Sequence, residues 1–288
     1  MRITLKANLA FLTPFEAQII EKANTWFAQN LWPVTGKAPA LPLDGSAAEA
    51  APTGKLLILC MTPRSGSTAL SAALSDSKLL GRSGERLGNG PLKKTIEAKH
   101  PADLVGLLRV VIQDSRTRNG VAQIKCDLPQ LLPFLLDPAC LPIIQQAQMV
   151  YLTREDILGQ AISRYRGFQT GLWHSTQTTA ATGSLEVPYN FAAIKGQIDR
   201  LVQMMASYER LFAGLNLQPM RISYEQVTQD SQAVMARIAS AMQITLPIGA
   251  SLENGGHTKV ATRNNDQLRA RYIAECQAML HSEAPQQA

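Results

Sequence analysis

Thr62-Pro63-Arg64-Ser65-Gly66-Ser67-Thr68 gathers four hydroxyls, one cation and a glycine between a short apolar run and a helix-patterned one. Leu56 to Cys60 reads as a strand of a parallel sheet covered on both faces. Ala69, Leu70, Ala73 and Leu74 then recur at helical spacing. A turn at such a junction aims backbone N–H groups and the positive end of a helix dipole at one point, which suits it to hold a phosphate-like anion.

What the turn lacks narrows the chemistry. Aligned on Thr68, the nucleoside-triphosphatase pattern GxxxxGK[ST] requires Gly at position 61 and Lys at position 67, where the chain has Met61 and Ser67. A kinase-like phosphotransferase would thus be without its phosphate-bridging lysine, although Arg64 can reach the same anion from the other side. A Cys-x5-Arg phosphatase loop starting at Cys60 would put its arginine at Gly66. Cys60 therefore reads as a core residue.

The turn TPRSGST, the run GRSGE and the stretch LTREDILGQAISRYRGFQTGLWH together resemble the bacterial sulfotransferases related to trehalose 2-sulfotransferase. The likeness spans roughly Leu56 to His174, continues more weakly through ISYEQV near Ile222 and TRNND to ARY after Thr262, and does not reach the first fifty or so residues. It implies 3′-phosphoadenosine 5′-phosphosulfate (PAPS) as sulfuryl donor and a hydroxyl of a sugar, glycolipid or similar small molecule as acceptor. On the matching positions, Arg64 would neutralise the departing 5′-phosphate in a cradle of Ser65, Gly66, Ser67 and Thr68. Glu85, in Gly81-Arg82-Ser83-Gly84-Glu85, would take the acceptor proton from a place beside Arg64 and Arg82; Gly84 departs from the usual filling of that run. Arg154 with Ser163 would bind the 3′-phosphate, with Arg263 as a second cation there. The run Gln169 to His174 would shape the acceptor pocket or a dimer contact, with Trp173 stacking on a sugar face or lying in the core or an interface, and His174 would hydrogen-bond the acceptor or assist Glu85. Tyr224 and Glu225 read as architectural. Relatives imply a homodimer. The alternatives are the kinase-like phosphotransferase and a non-catalytic nucleotide-binding relative.

These residues need a scaffold, and the rest of the chain supplies one. With 288 residues and 45% apolar content, the chain can bury a large α/β core. Strand candidates at Leu56–Cys60, Val121–Lys125, Met149–Thr153 and Met220–Ser223 alternate with helical patterns. The helices expected are Ser67–Leu80, Ala102–Asp114, Asp127–Leu136, Asp156–Gln169, Asn190–Ala213, Ser231–Met242 and Asp266–Leu280. That order predicts a P-loop-like parallel sheet flanked by helices on both faces. Residues 55–288 form this domain. Residues 1–54 hold an amphipathic helix from Pro14 to Trp32 and a Pro/Ala/Gly/Ser-rich flexible connector. The helix has three possible destinations: its own domain, a second subunit, or a carrier protein or membrane surface. Gly171 to Val187 has little periodicity and reads as a binding loop or lid.

A net charge of +6 suits an anionic ligand, and the absence of a Lys/Arg run speaks against nucleic acid. Cys60, Cys126, Cys140 and Cys276 are too dispersed for a metal site or a disulfide framework. No carboxylate follows the Met149 strand directly, where one would hold a metal, and no metal is expected. Without a leader or a long apolar segment, the sequence predicts a cytoplasmic protein with no transmembrane span.

Overall fold

Four short strands organise the chain: β1 (Leu56–Met61), β2 (Ala122–Asp127), β3 (Gln148–Thr153) and β4 (Met220–Ser223). In the computed structural model, which describes residues 11–31, 54–173, 186–247 and 263–282, they form one all-parallel sheet in the order β2-β1-β3-β4. Parallel neighbours require crossovers, and helices supply them. α1 (Pro14–Asn30) precedes the sheet. α2 (Ser67–Asp76), α3 (Asn89–Lys99) and α4 (Leu104–Asp114) join β1 to β2, and α5 (Leu128–Leu135) and α6 (Leu141–Gln145) join β2 to β3. α7 (Ile157–Thr170) and α8 (Phe191–Gly214) lie between β3 and β4. After β4 come α9 (Tyr224–Gln229), α10 (Ser231–Ala241) and α11 (Arg263–Ser282).

Every residue of β1 is buried. Leu56, Ile58 and Cys60 enter one core with residues of α1, α4, α5 and α8, while Leu57, Leu59 and Met61 enter a second core with α2 and α10. The two-residue period of a strand thus divides one apolar run between two layers of helices, the α/β arrangement that the sequence predicts. β2 is divided differently. Ala122, Ile124 and Cys126 join the first core, but Gln123 and Lys125 are buried against Ser71 and Thr68 of α2. A polar seam therefore runs along one side of the phosphate turn's own helix.

α1 opens on a capping box, with Thr13 N donating to Glu16 Oε2 at 2.8 Å. Glu16 is fully buried and is ion-paired by Arg210 of α8. Ile19, Ile20, Phe27 and Leu31 lie in the first core, with Phe27 edge-on to Phe134 of α5 at 6.2 Å. Among the three destinations, the structure shows packing on the chain's own domain.

α2 stops at Asp76 rather than at Leu80, because Lys78 takes a φ of 60° and turns the chain out of the helix. Cys60 and Cys126 face each other in register on β1 and β2, and all four cysteines are free. Among the described residues, no helix is long and apolar enough to cross a membrane.

Candidate active site

The turn sits at the C-terminal end of β1, next to the sheet's central pair of strands. Thr62 and Ser65 are fully buried. Gln160 of α7 reaches across to the turn, its Nε2 donating to Thr62 Oγ1 and to Pro63 O, both at 2.8 Å. Gly66 precedes α2 with a φ of +84°, and a Cβ there would lie 2.4 Å from the Tyr224 ring. Only glycine fits both constraints. Gly66 also has no capping oxygen, so among the described residues no side chain accepts from the first N–H groups of α2.

Arg64, also at positive φ, turns toward α7. Its Nε donates to Ser163 Oγ at 2.9 Å and its Nη1 to the carbonyl of Trp173. Arg154, just past β3, lies 4.9 Å over the Tyr224 ring and 3.4 Å from Asp156 Oδ2. The turn and the Arg154/Ser163 pair, far apart in sequence, therefore meet. Burial first, and then the charge of Arg154, pushes the Arg64 guanidinium below its usual value. Among the described residues, Ser65 Oγ and Arg154 Nε are buried without a hydrogen-bond partner. Adjacent cations with unsatisfied donors are what an anion would complete.

Glu85 stands on a loop tied down by polar contacts. Gly81 holds a φ of +88°, and a Cβ would come within 2.3 Å of Gln123 Cβ, so the loop lies flat on β2. The Ser71 and Ser83 hydroxyls are 3.1 Å apart, Ser71 donates to Gln123 Oε1, and Gln123 Nε2 donates to Leu80 O at 3.0 Å. The cation that engages Glu85 is Lys125 of β2, at 2.9 Å, rather than Arg64 or Arg82. Arg82 is exposed, and its backbone N donates to Ser115 O. The same Lys125 Nζ donates to Thr68 Oγ1 at 3.0 Å. Lys125 is 3% exposed, whereas the Glu85 side chain is 39% exposed. The carboxylate is thus accessible with a buried ammonium behind it. Lys125 carried no motif, but a lysine inside an apolar strand is a signal in itself, because lysine is almost never fully buried without a partner.

Asp127 follows two residues later and N-caps α5, accepting from Gln130 N at 3.1 Å. Burial, opposed by that hydrogen bond and reinforced by Glu85, pushes its carboxyl up to about 6, while Arg164 and Arg200 favour its charged form. The native carboxyl then binds a proton more readily than the unfolded one, so this contribution to stability is present below about pH 4 and is lost as the pH rises through about 6. Asp127→Asn keeps a good cap and is expected to remove that decline. At pH 7 the variant should gain about 2–3 kcal/mol, read as an upward shift of the urea midpoint relative to the parent that vanishes near pH 4.

The remaining predicted residues are distributed as follows. Ser67 and Thr68 open α2, with Ser67 buried. Arg263 begins α11, but its side chain lies outside the described residues, as does His174. Among the described residues, α11 brings Arg269 here, which hydrogen-bonds Asp156 Oδ1 through Nη1 at 2.9 Å and so links to Arg154 through one carboxylate. Tyr224 does more than support the sheet: its ring fills the space between Gly66 and Arg154. Glu225 Oε2 accepts from Glu155 N at 3.1 Å.

A family model described as Stf0 sulphotransferase matches residues 117–275, just over half of the chain. The match includes Lys125, Asp127, Arg154 and Ser163; the turn and Glu85 precede it. No curated protein matches the chain.

Proposed function

The chain belongs to the Stf0 sulphotransferase family, and from that premise we propose that it moves a sulfuryl group from PAPS to a hydroxyl of a sugar, glycolipid or similar small acceptor. Family membership carries enzymatic sulfuryl transfer. The donor is supported above all by the meeting of Arg64 with Ser163 beside Arg154. A nucleotide charged at both its 5′ and 3′ positions needs two anion sites within one ligand's span, and these residues offer them.

In this reading Arg64 and the free N–H groups at the start of α2 hold the 5′-phosphate, with Ser65, Gly66, Ser67 and Thr68 as the cradle. A guanidinium fork suits two oxygens at once. Thr68 Oγ1 accepts from Lys125, which leaves its own O–H to donate to a phosphate oxygen. Arg154 and Ser163 receive the 3′-phosphate, with Arg263 as a further cation. Glu85 takes the proton of the acceptor hydroxyl as its oxygen attacks sulfur in line, and Lys125 fixes the carboxylate's orientation. His174 hydrogen-bonds the acceptor. With side-chain cations placed in this way, the transfer is proposed to proceed without a metal, in a cytoplasmic homodimer.

Isothermal titration with adenosine 3′,5′-bisphosphate tests the donor. Saturable binding is expected, weakened roughly tenfold or more by Arg154→Ala, since a hydrogen bond to a charged group contributes about 1.5–3 kcal/mol. A parent protein that does not bind the bisphosphate would remove PAPS as donor.

A further inference from the structure

The corner between α7 and α8 holds positive charge that the chemistry above does not use. Arg164 follows Ser163, and one helical step of about 100° directs it away from the turn. Its Nη1 donates to Gln197 Oε1 of α8 at 2.7 Å, and its guanidinium lies 5.3 Å over the Phe168 ring. Arg200 stands three residues beyond Gln197, on the same face of α8. Its guanidinium lies 4.7 Å over the ring of Phe15 from α1. Among the described residues, neither arginine has a carboxylate within ion-pair distance. Burial, and then the charge of Arg200, pushes Arg164 below its usual value, so the two cations sense each other.

Asp127 ties this corner to the chemistry. Both arginines favour its ionised form, and Glu85 opposes it. Glu85 is matched by Lys125, so among the described residues Asp127 sets one negative charge against the two guanidiniums and leaves the corner with a surplus positive charge. Like charges held together in partial burial are costly until an anion joins them. Phe15 and Phe168 cover the planar faces of the two guanidiniums and leave their N–H edges for oxygens, the geometry of oxyanion recognition. The donor's phosphates already have Arg64, Arg154 and Ser163, and Ser163 stands about 100° around α7 from Arg164.

We propose that the acceptor is itself an anion: a hydroxyl-bearing small molecule whose carboxylate or phosphate is received by Arg164 and Arg200 while its hydroxyl reaches Glu85. The assignment rests on the sulfuryl-transfer reading above. It also gives α1 a part in the site, because Phe15 supports Arg200.

The test titrates protein saturated with adenosine 3′,5′-bisphosphate with glucose, glucuronate and glucose 6-phosphate. At least one anionic sugar should bind about tenfold or more tightly than glucose. Arg164→Gln/Arg200→Gln should abolish that preference while leaving bisphosphate affinity within about twofold; Arg200→Gln alone serves if the double variant does not fold. Which sugar is preferred separates carboxylate from phosphate. Anionic sugars that bind no better than glucose, undetectable binding of all three included, would overturn the proposal. So would a preference that survives in the variant, or a loss of bisphosphate affinity in it, which would return the pair to the donor. If the parent does not bind bisphosphate, PAPS as donor has failed instead, and the same sugars titrated into the free protein decide the charge preference.

Discussion

Glu85→Gln is expected to bind adenosine 3′,5′-bisphosphate as the parent does and to lose transfer by a factor of ~10²–10⁴, the usual worth of a positioned general base. The amide keeps the shape of the carboxylate and an oxygen for Lys125 Nζ, which lies 2.9 Å from Oε1. The loop should hold, since Gly81, Ser83, Ser71 and Gln123 fix it independently of the Glu85 side chain. Calorimetry with the bisphosphate and transfer of radiolabelled sulfate to an acceptor found by screening read the two halves separately. Parent-like turnover in the variant would remove Glu85 from the mechanism.

Lys125→Met is the second large effect. Methionine matches the lysine stem in a site that is 3% exposed, so the sheet should fold, but two contacts vanish together: the pair to Glu85 and the donor to Thr68 Oγ1. Loss of a preorganised charge of this kind typically lowers turnover by ~10²–10³. Glu85 is partly exposed and can be rehydrated, so stability should change far less than activity. Lys125→Arg should not restore function, because a planar guanidinium does not reproduce the compact ammonium that meets Glu85 at 2.9 Å and Thr68 Oγ1 at 3.0 Å. The diagnostic measurement is the double variant with Glu85→Gln. If Lys125 acts by orienting Glu85, the two losses will not add; fully additive losses would give the lysine a separate role at the phosphate turn.

The contrast between these two residues explains what could be read from the sequence. Glu85 belongs to a local run, as do Arg64 in its turn and Arg154 and Ser163 in the stretch that leads into and forms α7. Lys125 owes its place to strand register and to α2 lying across β2, neither of which is written near position 125. Arg64 and Ser163 each belong to a local motif, but their direct hydrogen bond depends on how α7 crosses the end of β1. The strands were legible because continuous apolar runs such as Leu56–Met61 satisfy both faces of a sheet at once. α3 was not, because Gly88-Asn89-Gly90-Pro91 reads as a turn and only Leu92 and Ile96 of that helix are buried. Proline is tolerated there because the first helical turn leaves its N–H groups unpaired anyway. The division into residues 1–54 and 55–288 follows composition. α1 nevertheless shares the first core, a contact between residues too far apart for local pattern to reveal.

The seam between α2 and β2 also bears on how far this protein can be hardened. Ser71, Gln123 and Lys125, with the half-buried Thr68 beside them, occupy positions that leucine or methionine would fill more profitably in a scaffold without a task, and well-packed apolar replacements for buried polar groups often raise stability. The same four side chains hold the carboxylate loop to the anion turn. An engineer who selects for heat resistance alone will be drawn to these positions, and each gain there trades turnover for melting temperature.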